Sequence, residues 1–144
     1  MLSLVEDLLA DAIEFAHAPW EEDQPAESIV VTTERYLNFY SANSDLFQVL
    51  VEASQSNARV EEIWAKARDQ VVQRVARMVS RAKHLEIARG DIDTQMAAVL
   101  LVCMTDHYAY LRFILNRVPA RPIEQAARDI TTIWANGAFV VAEG

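Results

Sequence analysis

Apolar residues recur at three- and four-residue steps along most of the chain, the spacing that places them on one face of an α-helix. In residues 2–15 the carboxylates Glu6 and Asp7 stand between apolar positions, so this segment predicts a first amphipathic helix. Residues 17–28 carry two prolines and four carboxylates and interrupt the spacing. We therefore expect a loop over about residues 17–25, with Pro25 near the start of a second helix. Ser44 is predicted to be the N-cap of a short third helix.

A long fourth helix is predicted over about residues 58–88, because an apolar stripe continues through that segment in steps of three and four. Gly90 is expected to end it, since the residue just past a helix end often takes the left-handed conformation that glycine adopts at least cost. Asp91 and Asp93 follow and can cap the next helix.

The fifth predicted helix, about residues 94–117, differs from the others because residues 96–104 are apolar on every side. Such a helix must be covered on more than one side. A sixth helix is predicted over about residues 122–142, with Pro122 at or near its first position. Gly137 lies inside this helix, where a close approach by another backbone would account for it.

These elements predict an all-α fold, an antiparallel bundle of about six helices in a single domain spanning residues 1–144. The chain has 144 residues, of which 52% are hydrophobic, enough to bury one core. Its three glycines cannot form the glycine-rich loops that hold nucleotide phosphates. The nucleotide-binding α/β folds are therefore excluded.

Two features of the sequence point to the cytoplasm and away from a membrane. The apolar run at residues 96–104 is well short of the roughly 18 residues expected of a membrane span. The first helix places carboxylates among its apolar residues and has no basic segment of the kind that begins a signal peptide. The single cysteine, Cys103, is compatible with a reducing compartment.

Charge is distributed unevenly along the chain, whose formal net charge is −8. The first 56 residues hold eleven acidic residues and one basic residue, whereas residues 57–89 hold four acidic and eight basic residues. Arg74, Arg77 and Arg81 share one face of the fourth helix. We favour a solvated face that balances the acidic helices over a phosphate-binding surface.

The sequence offers little that would support catalysis, a cofactor or a metal site. Glu14 and His17 have the spacing used in di-iron bundles, but the second Glu-x-x-His pair that those sites need is missing. Cys103 and His107 lie one helical turn apart, and we favour a packed thiol beside a hydrogen-bonded histidine over a reactive pair. We therefore expect no enzyme activity, no cofactor and no bound metal.

A small-molecule site is predicted from the polar residues that interrupt the apolar fifth helix. Buried polar groups need hydrogen-bond partners, and an apolar cavity with a few polar groups is the usual design of a ligand pocket. A filled core, in which these groups satisfy one another, is an equally good interpretation. The predicted ligand-binding residues are Tyr36, Tyr40, Phe47, Leu50, Trp64, Met78, Cys103, Asp106, His107 and Tyr110.

The fifth helix has two arcs, and we expect the second arc to meet a partner subunit. Residues 99, 103, 106, 107 and 110 fall on one arc, and residues 101, 105, 108, 112 and 115 on the other. With the sixth helix beside it, two helices from each chain would form an intermolecular four-helix bundle. The predicted interface residues are Leu101, Tyr108, Leu111, Arg112, Leu115, Ile130, Trp134, Gly137, Ala138 and Val141.

Two segments carry a resemblance to a known family: SNARVEEIWAKARDQVVQRVARMVSRAKHLEIARGDID, which leads into the apolar helix, and the closing PIEQAARDITTIWANGAF. With the order of helices, they resemble the C-terminal ligand-sensing and dimerisation domain of tetracycline-repressor (TetR) family transcriptional regulators. The resemblance implies that the last two helices form a dimer bundle and that the middle helices enclose an effector pocket.

Members of that family begin with a helix-turn-helix DNA-binding module, whereas this sequence opens at MLSLVEDLLADAI, which resembles the connecting helix after that module. DNA binding is therefore assigned to no residue here and would require a module absent from this sequence. The leading hypothesis is an effector-sensing, homodimeric domain of a transcriptional regulator or repressor that binds a small hydrophobic molecule. The alternative is a stand-alone helical binding or interaction protein without a role on DNA.

Overall fold

Six α-helices make up most of the chain in this computed structural model, which describes residues 2–17 and 20–140. Within those residues the β-structure is limited to an isolated antiparallel bridge between Ala88 and Phe139. The all-α prediction is confirmed. The helices are α1 (Leu2–Ala16), α2 (Pro25–Ala42), α3 (Ser44–Ser56), α4 (Ala58–His84), α5 (Thr94–Ala109) and α6 (Ile123–Ala138).

Helix α4 is the longest element, and it packs along α5 while also contacting α1 and α3. Helix α2 lies against α1 on one side and α6 on the other. The core between them includes the fully buried Leu37 and Val79, and the ring of Tyr40 stacks on that of Phe47 with 4.0 Å between centroids. This packing leaves a cavity between α1, α2, α4 and α5.

The helix starts follow the capping chemistry of the sequence, with one difference. Pro25 is the first residue of α2, where no N–H donor is needed. Asn57 caps α4, its side-chain Oδ1 accepting from the backbone N–H groups of Arg59 (3.0 Å) and Val60 (3.3 Å). Helix α3 is preceded by Asn43, so Ser44 is its first residue rather than its N-cap.

Helix α4 ends earlier than predicted, and Gly90 does not end it. The backbone N–H of Ile87 donates to Ala82 O (2.8 Å) and that of Glu86 to Lys83 O (3.0 Å), the two hydrogen bonds of a Schellman motif. The left-handed residue of this motif is Glu86, with φ of 61°. Gly90 lies beyond the motif, and its φ is not positive.

Helix α5 ends at Ala109 and continues into a π-helical turn over Tyr110–Ile114, where the sequence predicted one helix to residue 117. Among the described residues, Thr94–Ile114 is the one helical stretch long and apolar enough to match a membrane span, and a third of its window is buried inside the molecule. The core helix of a protein without a membrane span meets the same criteria of length and composition. Within this chain Met96 and Leu100 are uncovered, 54% and 51% exposed.

Helix α6 is held to the rest of the molecule at both its middle and its end. The indole Nε1–H of Trp134 donates to Ala97 O of α5 (2.9 Å). At the C-terminal end, Arg89 N–H donates to Ala138 O (3.0 Å) and Val140 N–H to Ile87 O (2.8 Å). The segment that follows α4 therefore pairs with the residues at the end of α6.

Candidate ligand-binding site

A cavity of about 360 Å³ lies among α1, α2, α4 and α5, and it is the strongest candidate for a functional site in the described residues. Its walls are mainly apolar, and its size is within the range of small-molecule sites. Helix α4 lines it from Trp64 to Arg81, a length of about 26 Å at the α-helical rise. The cavity is therefore elongated along α4.

A polar cluster occupies the wall formed by α2, α4 and α5. The phenol of Tyr36 donates a hydrogen bond to Asp106 Oδ1, and Arg68 Nε lies 3.7 Å from Asp106 Oδ2. The Arg68 guanidinium also lies over the indole of Trp64, 5.3 Å from the ring centroid. Three helices thus contribute to one hydrogen-bonded group beside an apolar space.

Burial shifts the pKa values of this cluster. Desolvation raises the pKa of the Asp106 carboxyl, and the hydrogen bond from Tyr36 and the charge of Arg68 oppose that rise. The pKa of the Tyr36 phenol is raised, first by burial and then by the neighbouring Asp106 charge. Tyr36 therefore stays protonated and acts as a donor at neutral pH.

Basic side chains line the cavity farther along α4. Arg74, Arg77 and Arg81 all border it, following the apolar residues of α4 in steps of three and four. Arg81 Nε pairs with Glu22 Oε1 (2.9 Å) in the segment between α1 and α2. Trp20, in the same segment, lines the cavity next to them.

Half of the predicted ligand-binding residues line the cavity: Tyr36, Phe47, Trp64, Met78 and Asp106. Tyr40 and Leu50 do not line it and are packed into the core. The aromatic and helical signals of the sequence thus located the cavity region, but they did not separate its wall from the core around it.

The other three predicted residues lie away from the cavity. Cys103 and His107 are exposed on the outer side of α5, and the ring of Tyr110, partly buried, lies 6.2 Å from that of His107. Cys103 borders a smaller depression of about 180 Å³ between α4 and α5. Leu101 and Thr105 of α5 line the cavity instead. The arc of α5 that faces the cavity is therefore largely the arc that the sequence analysis assigned to a partner subunit.

Sequence reasoning missed the cavity residues of α1 and the arginines of α4. Leu9 and Ala12 line the cavity from the apolar stripe of α1, which the sequence identified only as a helix face. Arg74, Arg77 and Arg81 were interpreted as a solvated face, and Arg77 and Arg81 are exposed, but all three also border the cavity. Their spacing, which matches that of the neighbouring Val71, Val75 and Met78, was the signal that they border the same space.

The structure also corrects several predicted interface positions. Leu101, Ile130, Trp134 and Ala138 are buried within their own chain, so they are not available to a partner in this fold. Tyr108, Leu111 and Arg112 are partly buried, Leu115 and Gly137 are exposed, and Val141 lies outside the described residues. A Cβ added at Gly137 would meet nothing within 4 Å, so no backbone of residues 2–17 or 20–140 approaches it closely.

An apolar surface remains on the outer side of α5 and α6. Met96 and Leu100 are exposed on α5, and Ile133 on α6 is 70% exposed. Ile133 directly precedes Trp134, whose indole donates to Ala97 O of α5. We call Met96, Leu100 and Ile133 the outer α5–α6 face.

Within the described residues, no three His, Cys, Asp or Glu side chains converge as a metal site would require. No protein-family model and no curated protein matches this chain. The resemblance to the tetracycline-repressor family therefore depends on the segments and the helix order given above.

Proposed function

We propose that this chain is the effector-binding and dimerisation domain of a tetracycline-repressor-like transcriptional regulator. The elongated apolar cavity between α1, α2, α4 and α5 is the observation that supports it most directly. A small hydrophobic molecule occupies this cavity in the proposed role. The hydrogen-bonded cluster of Tyr36, Asp106 and Arg68 forms a polar part of the wall around it.

Helix α5 can link ligand binding to dimerisation because its two sides have different neighbours. Leu101 and Asp106 border the cavity, whereas Met96 and Leu100 belong to the outer α5–α6 face. A ligand that displaces α5 would alter the geometry of a dimer formed through that face. Coupling requires the ligand to prefer one of two dimer arrangements, since equal affinity for both shifts nothing.

Titration with a neutral apolar dye, N-phenyl-1-naphthylamine, tests the cavity directly. We expect a saturable rise in dye fluorescence with one site per chain. Ala67→Phe places a ring into the cavity from α4 and should weaken dye binding about ten-fold or more, equivalent to about 1.4 kcal/mol. Because Trp20 and Trp64 line the cavity, quenching of tryptophan emission gives a second readout.

Ala58→Phe is the matched control, because Ala58 is an exposed residue at the start of the same helix. It should bind the dye as the wild type does. Absence of saturable binding to the wild type, or equal binding by the wild type and a folded Ala67→Phe variant, would show that the cavity is not a ligand site.

A second candidate is a stand-alone helical binding protein that takes up the same class of molecule. The walls of the cavity that would hold the ligand are formed by helices of one chain. Uptake of a ligand then needs neither a partner subunit nor a DNA-binding module. Dye affinity that does not change with the dimerisation of the protein would favour this second function.

A further inference from the structure

The two ends of the cavity differ in how their polar groups are satisfied. At the end near Trp64, the Tyr36 phenol donates a hydrogen bond to Asp106 and Arg68 forms an ion pair with it, so these polar groups have partners within the chain. At the other end, Ser28 Oγ accepts from Glu21 N–H (3.1 Å) and donates to Gln24 O (3.3 Å). The hydroxyl of Ser28 is therefore satisfied as well.

Cavity-lining hydrogen-bond donors that have no partner in the described residues lie at the same end of the cavity as Ser28. In residues 2–17 and 20–140, no carboxylate forms an ion pair with Arg74 or Arg77, although both border the cavity. Trp20 Nε1 is buried and has no hydrogen-bond acceptor in that part of the chain. A buried N–H without an acceptor is costly, which makes this end of the cavity suited to a ligand that supplies one.

Arg74 and Arg77 provide positive charge at this end of the cavity, in a chain whose formal net charge is −8. An anionic group placed there would meet two unpaired guanidinium groups, while an apolar chain attached to it would extend along α4 towards Trp64 and Phe47. Asp106, near the opposite end, would repel an anion placed beside it. Charge therefore determines the orientation of such a ligand in the cavity.

We infer that the cavity takes an elongated amphiphile, with its anionic head group at Arg74 and Arg77 and its apolar chain directed towards Trp64. This inference rests on the proposed function, because it specifies the ligand class of the same cavity. Charge-assisted hydrogen bonds from guanidinium groups are stronger than neutral ones, so the head group contributes affinity as well as orientation.

Displacement of N-phenyl-1-naphthylamine by ligands of equal chain length tests the inference. Decanoate and decyl phosphate carry anionic heads, whereas 1-decanol has the same chain with a neutral head. We expect either anion to bind about ten-fold more tightly than decanol, because the neutral hydroxyl forms weaker hydrogen bonds with arginine. The order of the two anions then identifies the preferred head group.

Arg74→Gln/Arg77→Gln should lose the preference for the anions, because its affinity for either anion should fall far more than its affinity for decanol. The matched control, Arg59→Gln/Lys66→Gln, removes the same charge from exposed positions on α4 that do not border the cavity, and should retain the preference. Circular dichroism of both variants serves to check that they fold. The comparison of ligands on the wild type stands without any variant.

The outcomes separate the two levels of the proposal. Equal binding of decanol and the anions by the wild type, or an unchanged preference in Arg74→Gln/Arg77→Gln, overturns the head-group assignment and leaves the cavity as a ligand site. Failure of the neutral dye and of decanol to bind overturns the ligand site itself, and the inference with it.

Discussion

At the scale of single residues, Asp106 is a polar group whose ionisation the fold alters. It projects from an apolar helix, and burial disfavours its charged form even though Tyr36 donates to it and Arg68 lies nearby. The net result is a carboxyl whose pKa is raised. Such a group binds its proton more tightly in the folded protein than in the unfolded chain, which makes stability depend on pH.

We expect the free energy of unfolding of the wild type to fall, relative to that of Asp106→Asn, as the pH rises above 3.8, the ordinary carboxyl value. Over that window the folded state binds more protons than the unfolded state, so deprotonation opposes folding. The amide of asparagine keeps an oxygen that accepts from Tyr36 and carries no titrating proton. Urea denaturation from about pH 4 to pH 7 measures the difference.

Asp69→Asn serves as the control for the loss of one negative charge, because Asp69 is exposed on α4. A difference profile for Asp69→Asn that matches that of Asp106→Asn would contradict the role of burial. The sequence identified Asp106 as a polar residue in an apolar helix. It could not reveal Tyr36 as the donor, because that contact joins residues that are 70 positions apart.

At the scale of the elements, the end of α4 shows how local geometry can override residue preference. The left-handed conformation is unfavourable for residues that carry a Cβ, so glycine usually occupies the left-handed position after a helix. Here Glu86 adopts that conformation with φ of 61°, while Gly90 does not. The two hydrogen bonds from Glu86 and Ile87 to the last turn hold Glu86 in place.

Glu86→Gly should therefore raise the free energy of unfolding by about 0.5–1 kcal/mol, the relief of left-handed strain less the entropy of an unfolded glycine. Chemical denaturation of the purified variant measures this change. Gly90→Ala is the matched control. It should leave stability unchanged or raise it slightly, because its φ is not positive and an added Cβ meets no atom within 4 Å.

The reverse pattern, with Gly90→Ala destabilising and Glu86→Gly neutral, would instead place the left-handed stop at Gly90, as the sequence predicted. Pattern reasoning locates a helix end only to within a few residues, because several residues near the end can adopt the capping conformation.

The two arcs of α5 mark another limit of prediction at this scale. The sequence separated the arc of Cys103 and His107 from the arc of Leu101 and Thr105, since helical periodicity shows which residues share a side. It assigned the first arc to the cavity and the second to a partner. In the structure Leu101 and Thr105 face the cavity, and Cys103 and His107 are exposed. The sequence could not assign the arcs correctly, because a helix that is apolar on all sides does not show which side faces the core.

At the scale of the whole molecule, exposed apolar residues form the outer α5–α6 face. An apolar surface on a protein marks a place where another surface can bind. A second copy of this chain is the partner in the proposed function, since equal faces can pair about a two-fold axis. The face differs from the predicted interface in its members, as Leu101 and Trp134 are buried behind it.

Leu100→Glu should weaken the proposed dimer about 100-fold or more, because dimerisation would bury the new carboxylate without a partner. Sedimentation equilibrium of the wild type and the variant measures the change in the dissociation constant. Leu46→Glu is the matched control, since Leu46 on α3 is 50% exposed, as much as Leu100 at 51%, and lies off this face.

A wild type that sediments as a monomer would contradict the dimerisation part of the proposed function. So would a variant pair in which Leu46→Glu dissociates the dimer and Leu100→Glu does not. Neither result bears on dye binding, so the ligand site and the dimer are tested separately.

The bridge between Ala88 and Phe139 closes the segment that contains α5 and α6 into a ring about fifty residues around. Chain ends usually fray independently of the core. Here the hydrogen bonds from Arg89 to Ala138 and from Val140 to Ile87 join the end of α6 to the turn after α4. Opening either side breaks the same bonds, so we expect the two segments to open as one cooperative unit and their amide protons to exchange with solvent together.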